Sequence, residues 1–237
     1  MATKVSNEKR PAVKRISRLI LKWFLYCFLL SILYILFCKW INPPITITQI
    51  GSLVHGNGLH RDYVAMNEIS DNARLAVMAG EDQLFPDHNG FDFKSIQKAM
   101  KHNQKSKSLR GASTISQQVA KNVFLWQHGG YFRKGLEVYF TFMIETFWSK
   151  KRILQMYLNV AEMGKGVFGI EAAAQYYFHK PAKDLSKREA ALIAACLPNP
   201  VGYTIKPLSS HVASRYPWIM RQMNNLKADP DIQELLK

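Results

Sequence analysis

The sequence has few cysteines, and very little of it alternates in the way that β-strands do. Its three cysteines show no C-x-x-C spacing, and two of them, Cys27 and Cys38, lie in an apolar run. Neither a disulfide framework nor a zinc site is therefore expected. Alternation of apolar and polar residues is confined to "ITITQI" at 45–50, which is enough for one short strand. Most of the remaining chain has helical periodicity, so we expect a mostly α-helical protein.

Acidic residues are also scarce, since 17 Asp and Glu stand against 32 Lys and Arg, for a formal net charge of +15. A basic protein can bind nucleic acid, but the chain has no RNP, zinc-finger or basic-zipper pattern, so we expect no nucleic-acid partner. Anionic lipid headgroups or an anionic, lipid-linked substrate fit the charge better.

One long apolar run occupies residues 19–41 and is close to the roughly 20 residues that a bilayer-spanning helix needs. No small-x-small cleavage site follows it, which favours an uncleaved anchor over a signal peptide. Basic residues dominate the chain before it, so the tail at 1–18 is expected in the cytoplasm and all residues after Ile41 on the far side. We expect a connector at 42–69 and one domain at 70–237.

Caps and breakers divide the domain into helices. A helix is predicted at 70–81, a second across 94–100, and a mobile basic loop at 101–113. Thr114 with Gln117 and Ser186 with Glu189 have the spacing of capping boxes that start two further helices. A long helical run is predicted at 132–163, with the charged segment 149–152 as a break inside it.

The stretch "GEDQLFPDHNGFD" at 80–92 concentrates acidic residues in an otherwise basic chain. Its acids lack the alternate-residue spacing of a calcium loop, so a metal loop is a poor interpretation. Glu81 ends an apolar helix, where an apolar wall would raise the pKa of its carboxyl and make it a base near neutral pH. A surface acid at a helix end is an equally good interpretation of this stretch alone.

The segment "RKGLE" places Glu137 one helical turn from Arg133 and Lys134. Such a group is commonly an ordinary ion pair on a helix. Together with Lys121 on the preceding helix, it also fits a face that binds phosphate oxygens.

Five segments in order over residues 81–200 resemble the peptidoglycan glycosyltransferases that polymerise lipid II, and the single anchor is similar to that of the monofunctional biosynthetic members. The segments are "EDQLFPDHNGFD", "RGASTISQQVAKNVFL", "RKGLE", "KKRILQMYLNVAEMGKGVFGIEAAAQYYF" and "AALIAACLPNP". The resemblance implies a lysozyme-like α-helical domain whose smaller lobe touches the membrane.

The resemblance also implies residue roles. Glu81 is expected to be the general base that deprotonates the sugar 4-hydroxyl of lipid II, which then attacks the lipid-linked chain with inversion. Glu137 is expected at the undecaprenyl pyrophosphate leaving group or at a divalent metal, Mg²⁺ or Mn²⁺. The expected substrate-binding residues are Asp82, Phe85, His88, Ser113, Gln117, Gln118, Lys121, Arg133 and Lys134.

The expected substrates are lipid II and the growing lipid-linked glycan chain, at the inner membrane with the catalytic domain in the periplasm. Cell-wall synthesis or division proteins are candidate partners. A lysozyme-like murein hydrolase and a catalytically silent anchored module that recruits such partners remain alternatives.

Three positions depart from the family pattern. His128 is the only basic residue shortly before the Arg133–Lys134 pair, where relatives carry a further cation. Gln155 stands at a usual glutamate, and Lys165 lies between two glycines.

Overall fold

A computed structural model describes residues 9–106, 111–127 and 129–237. The chain divides into two units, Met1–Ile41 and Asn42–Lys237. The helices are α1 Lys9–Trp40, α2 Ile47–Val54, α3 Asp71–Glu81, α4 Phe93–Lys105, α5 Ile115–Phe124, α6 Tyr131–Phe147, α7 Lys150–Val160, α8 Ile170–Phe178, α9 Lys187–Cys196, α10 Ser210–Leu226 and α11 Pro230–Leu236. The strands are β1 His60–Arg61, β2 Glu162–Gly164 and β3 Val167–Phe168.

The first unit is built on the helix predicted as an anchor. Its apolar segment, Lys14–Trp40, has 27 residues and is long and apolar enough to cross a membrane. At 1.5 Å per residue such a segment is about 40 Å long, more than a hydrocarbon core of about 30 Å. The helix is therefore consistent with a membrane anchor. Residues 1–8 of the predicted basic tail lie outside the described residues.

The segment predicted as a short strand at 45–50 is helical from Ile47 onward and forms no strand, so that prediction is wrong. The Thr46 hydroxyl accepts a hydrogen bond from the Gln49 N–H at 3.2 Å, and the Gln49 side chain accepts one from the Thr46 N–H at 3.1 Å. This capping box begins α2 and outweighs the short alternation. The predicted connector thus contains a helix and β1, and it belongs to the same compact unit as the rest of the domain.

The small sheet was not predicted. Its order is β1-β3-β2, with β1 parallel to β3 and β2 antiparallel to it. The turn between β2 and β3 requires glycine at Gly166, where φ is +68° and an added Cβ would lie 2.1 Å from the Asn57 carbonyl oxygen. The predicted long helical run therefore stops at Val160 and continues as a tight hairpin.

The other helix predictions are largely confirmed. Capping boxes at Thr114 and Ser186 begin α5 and α9, and Ser149 caps α7 at the predicted break. The second helix, however, runs to Lys105, so the first five residues of the predicted loop are helical. Residues 107–110 of that loop lie outside the described part of the chain.

The domain core consists of two groups of helices. Helices α3, α9 and α10 pack together, and α5 packs against α6 and α7. The core side chains of these helices include fully buried Met78, Ile144, Leu154 and Ile193. Because α3 ends at Glu81 beside α5, the carboxylate lies where the two groups meet.

We predict that Gly90→Ala destabilises the domain by about 2–4 kcal/mol. Gly90 has φ +86°, and an added Cβ would lie 2.7 Å from the Thr141 Cγ2 atom. Left-handed backbone and overpacking each cost about 1–3 kcal/mol. Denaturant unfolding of the full chain in detergent measures the change.

Gly135→Ala is the matched control, because Gly135 lies inside α6 with no atom within 4 Å of an added Cβ. It should stabilise the protein by about 0.5–1 kcal/mol, as alanine does in exposed helix interiors. Equal effects of the two substitutions would contradict this account of the loop after Glu81.

Candidate active site

Glu81 lies at the C-terminal end of α3 and keeps part of its surface accessible. Its Oε2 atom accepts a hydrogen bond of 2.6 Å from the Gln118 side-chain amide on α5. Among the described residues, no ion pair within 4 Å neutralises this carboxylate. Glu81 is therefore held in place by a neutral donor.

The pKa of the Glu81 carboxyl is raised, and the main cause is burial. The hydrogen bond from Gln118 and the charges of Arg215 and Lys121 lower this pKa in part, whereas the charge of Asp82 raises it. A carboxylate with a raised pKa is a better proton acceptor at neutral pH than an ordinary glutamate.

Asp82 is buried and connects the end of α3 to the start of α5. Its Oδ2 atom accepts the Ile115 N–H at 3.0 Å, and the His88 Nε2 atom donates to its two oxygens at 3.0 and 3.1 Å. The Gly90 N–H donates to Nδ1 of His88, which fixes the proton of the neutral ring on Nε2. Asp82 and His88 therefore support the loop after Glu81, and their contact with a substrate stays a prediction.

Two of the expected substrate-binding residues do not reach the surface. Phe85 is fully buried and packs under the Lys150 ammonium, 4.7 Å from the ring centroid. Gln117 is 4 % exposed because its side chain accepts the Thr114 N–H to complete the α5 capping box. Both side chains are used for folding, and their role in the substrate site stays a prediction. Ser113 is exposed just before that cap.

Glu137 lies on α6 and is 3 % exposed, but it is neutralised on both sides. Arg133 bonds Oε2 at 2.8 Å and Lys134 bonds Oε1 at 2.5 Å. The group has a net charge of +1, because two cations share one carboxylate. The sequence spacing of "RKGLE" predicted this pairing, which the structure confirms.

Lys121 lies on α5 one turn beyond Gln117 and Gln118. Burial lowers the pKa of its ammonium, and the charges of Arg133 and Lys134 lower it further. The charges of Glu137 and Glu81 raise it in part, so Lys121 lies in the fields of both carboxylates. In the described chain it forms no ion pair within 4 Å. Lys121 is therefore a cation available to an anionic ligand.

A cavity of about 940 Å³ lies beside Gln118 and Lys121, whereas Glu81, Arg133, Lys134 and Glu137 do not line it. Gln118, Lys121 and Tyr157 line one side of it, and α2 lines another. A cavity of this size holds a large ligand. The amide that bonds Glu81 and the available ammonium thus face the same space.

Two residues that sequence reasoning missed join this site. The Tyr157 hydroxyl donates to the Gln118 Oε1 atom at 3.2 Å. Arg215 on α10 donates to the Gly80 carbonyl at 3.2 Å, and its charge acts on Glu81. Tyr157 lies inside one of the recognised segments, but its periodicity indicates only core packing. No spacing relates Arg215 to Glu81, because α10 meets α3 only in the tertiary fold.

The residues around Glu137 do not fit a resident metal ion. Both of its oxygens are engaged by cations, and no group of three or more His, Cys, Asp or Glu side chains that could hold a metal occurs in the described ranges. Divalent ions bound by protein side chains alone require more oxygen ligands than this.

The departures from the family pattern have local explanations in part. Gln155 accepts a 2.9 Å hydrogen bond from Arg152 within α7. Lys165 is exposed at the turn between β2 and β3. His128 lies outside the residues that the structure describes.

The chain was compared with known proteins. The model of the transglycosylase family matches residues 47–224. Biosynthetic peptidoglycan transglycosylases of Shigella boydii serotype 4 (strain Sb227) and Escherichia coli (strain K12) are each 55% identical over 190 residues, which covers 78% of this chain and 78% of theirs.

The family match includes α2 and β1, so the segment at 42–69 is largely part of the family domain. The helical fold, the ordered segments and this identity agree with one another. The chain therefore belongs to the transglycosylase family and is a peptidoglycan glycosyltransferase.

Proposed function

We propose that the chain polymerises lipid II into glycan strands with Glu81 as the general base. The observation that carries the proposal is the contrast between two carboxylates. Glu81 has a raised pKa and no cationic partner within 4 Å among the described residues, whereas Glu137 is paired with two cations. Such a contrast supports different roles for the two groups.

Glu81 accepts the proton in this proposal. The sugar 4-hydroxyl of the incoming lipid II donates its proton to Glu81 as its oxygen attacks the anomeric carbon of the lipid-linked chain. The new glycosidic bond forms on the face opposite the departing pyrophosphate, so the configuration inverts. Oε1 of Glu81 accepts no hydrogen bond from the described residues, which supports it as the acceptor atom.

The cations act on the leaving group. Undecaprenyl pyrophosphate departs with the bonding electron pair, and Lys121, Arg133 and Lys134 stabilise its negative charge. Glu137 positions Arg133 and Lys134 through two ion pairs. Because pyrophosphate leaves as an anion, no carboxylic acid has to protonate it. A requirement for Mg²⁺ or Mn²⁺ stays a prediction, and no step here depends on it.

The cations around Glu137 also argue against the alternative that the chain is a murein hydrolase. A glycosidase uses one carboxylic acid to protonate the departing sugar oxygen. Glu137, with a cation on each oxygen, is poorly suited to that role. Finished glycan also has no pyrophosphate for the three cations to bind.

The proposed location follows from the first unit and the substrate. The anchor would hold the domain at the inner membrane, with the N-terminus in the cytoplasm and the domain in the periplasm. Lipid II and the growing chain would then reach the cavity from the same membrane. Cell-wall synthesis or division proteins are proposed partners in that location.

We predict that Glu81→Gln lowers the kcat for lipid II polymerisation by about 10²–10⁴-fold, the usual contribution of a general base. Binding of the lipid-linked donor should stay within a few-fold of wild type, because the three cations are unchanged. Polymerisation of lipid II by the full chain in detergent measures the rate.

Glu68→Gln is the matched control, since Glu68 is exposed and, among the described residues, its carboxylate accepts a hydrogen bond only from the Ala65 N–H. The side-chain oxygen of Gln can accept the same bond. It should retain wild-type turnover. A folded Glu81→Gln protein with wild-type kcat would remove Glu81 as the base, and an inactive wild type would overturn the proposed function.

We also predict that the rate of lipid II polymerisation has a bell-shaped dependence on pH, with an acid limb and a basic limb on either side of the maximum. On the acid side, activity falls as Glu81 is protonated, at a pH above the ordinary glutamate pKa of about 4.3 because burial raises the pKa of Glu81. On the basic side, activity falls as Lys121 loses its proton, below the ordinary lysine pKa of about 10.4, because burial lowers the pKa of Lys121.

Lys121→Arg separates the two limbs. A guanidinium stays charged throughout the accessible range, so the basic limb should move to higher pH whatever the maximal rate of this variant. The acid limb should stay close to that of wild type. A basic limb that does not move would show that Lys121 is not the group responsible.

A further inference from the structure

A line of two hydrogen bonds runs from α7 through α5 to the end of α3. The Tyr157 hydroxyl donates to Gln118 Oε1 at 3.2 Å, and Gln118 Nε2 donates to Glu81 Oε2 at 2.6 Å. Tyr157 is 1 % exposed. The two hydrogen bonds therefore connect a side chain of the protein interior, Tyr157, to the proposed base, Glu81.

The orientation of the Gln118 amide determines whether a hydrogen-bond donor or an acceptor faces the Glu81 carboxyl. With Nε2 toward Glu81, the amide donates a hydrogen bond to the carboxylate and favours its ionised form. With Oε1 toward Glu81, the amide can only accept, and it would favour the protonated carboxyl. The two orientations have nearly the same shape, so a neighbouring group has to select one.

Tyr157 is the group that makes this selection among the described neighbours of Gln118. Burial raises the pKa of Tyr157 well above its usual value, and the charges of Glu81 and Asp82 raise it further. The phenol consequently keeps its proton at every pH at which the enzyme works. In this structure the hydroxyl donates that proton to Oε1 at 3.2 Å, which leaves Nε2 for Glu81.

We propose that Tyr157 is a positioning residue: its hydroxyl fixes the Gln118 amide so that Nε2 donates to Glu81 and keeps the base ready to accept a proton. The inference rests on the proposed function of Glu81. It assigns to an interior side chain an effect on the reaction that is transmitted through Gln118.

Other groups also act on Glu81, and the Tyr157 substitution leaves them in place. They are Arg215 on α10, Lys121 on α5 and Asp82, which follows Glu81 in the chain. The phenyl ring of Tyr157→Phe fills the same space as the phenol. A change in the pH profile of that variant is therefore assigned to the hydroxyl.

The test is the pH dependence of lipid II polymerisation by the full chain and its Tyr157→Phe variant in detergent. Without the hydroxyl, Oε1 of Gln118 loses its donor and the amide can turn toward a protonated Glu81. We expect the acid limb to move up by about one pH unit, since a hydrogen bond to a charged group is worth about that much. The rate at pH values below the limb should then fall about tenfold.

Tyr177→Phe is the matched control. Tyr177 is also buried, and its hydroxyl donates to the Met163 carbonyl oxygen at 3.4 Å; within the part of the chain that the structure describes, it forms no hydrogen bond to Glu81 or Gln118. Its loss removes a buried hydroxyl without altering the line to Glu81. The acid limb of this control should coincide with that of wild type.

A second variant tests the route of the effect. Gln118→Ala should itself raise the acid limb, and adding Tyr157→Phe to it should cause no further shift, because the two residues act through one hydrogen bond. This variant also tests the inference if Tyr157→Phe does not fold. An acid limb at the wild-type position in folded Tyr157→Phe, or in Gln118→Ala, would overturn the inference.

The outcomes separate the two proposals. An active wild type whose acid limb is unchanged in these variants overturns the role of Tyr157 alone. An unchanged kcat in Glu81→Gln overturns the base assignment, and the inference with it.

Discussion

The Asp82 carboxylate is the contact on which the arrangement of this site depends. It lies one residue after Glu81 and accepts the first N–H of α5, the helix that carries Gln118 and Lys121. His88 bonds the same carboxylate and fixes the loop that follows. One buried acid thus joins the proposed base, the amide that holds it and the cation proposed to bind the leaving group. The neighbours of the proposed base are set by helix capping, so folding and the site are built from the same bonds.

The two glutamates of the site have different surroundings. Glu81 is held by a neutral amide in surroundings that raise the pKa of its carboxyl, whereas Glu137 is enclosed by Arg133 and Lys134. A base has to accept a proton, and a residue that positions cations has to stay charged. In the proposed roles, both requirements are met by one residue type in two different surroundings. Lys121 lies in the fields of both carboxylates and relates the two parts of the site.

Local patterns in the sequence predicted the features that residues close together in the chain determine, namely helix starts and ion pairs within one helix. Capping boxes gave the starts of α5 and α9, and the spacing of Glu137 with Arg133 gave its ion pair. Alternation over 45–50 was too short to outweigh a cap at Thr46. Contacts between distant segments were beyond such reasoning, including the hydroxyl of Tyr157 on Gln118 and the approach of Arg215 to α3. Gln117 and Phe85 were expected in the site by resemblance, and the structure shows that both side chains are buried.

We propose that the proton acceptor and the leaving-group site are physically separate. A structure of the full chain bound to a lipid II analogue with its pyrophosphate intact tests this most directly. We expect the acceptor 4-hydroxyl oxygen at about 3 Å from Glu81, a hydrogen-bond distance, with the donor pyrophosphate on Lys121 and Arg133. A pyrophosphate bound beside Glu81, or an acceptor hydroxyl nearest to Glu137, would contradict it.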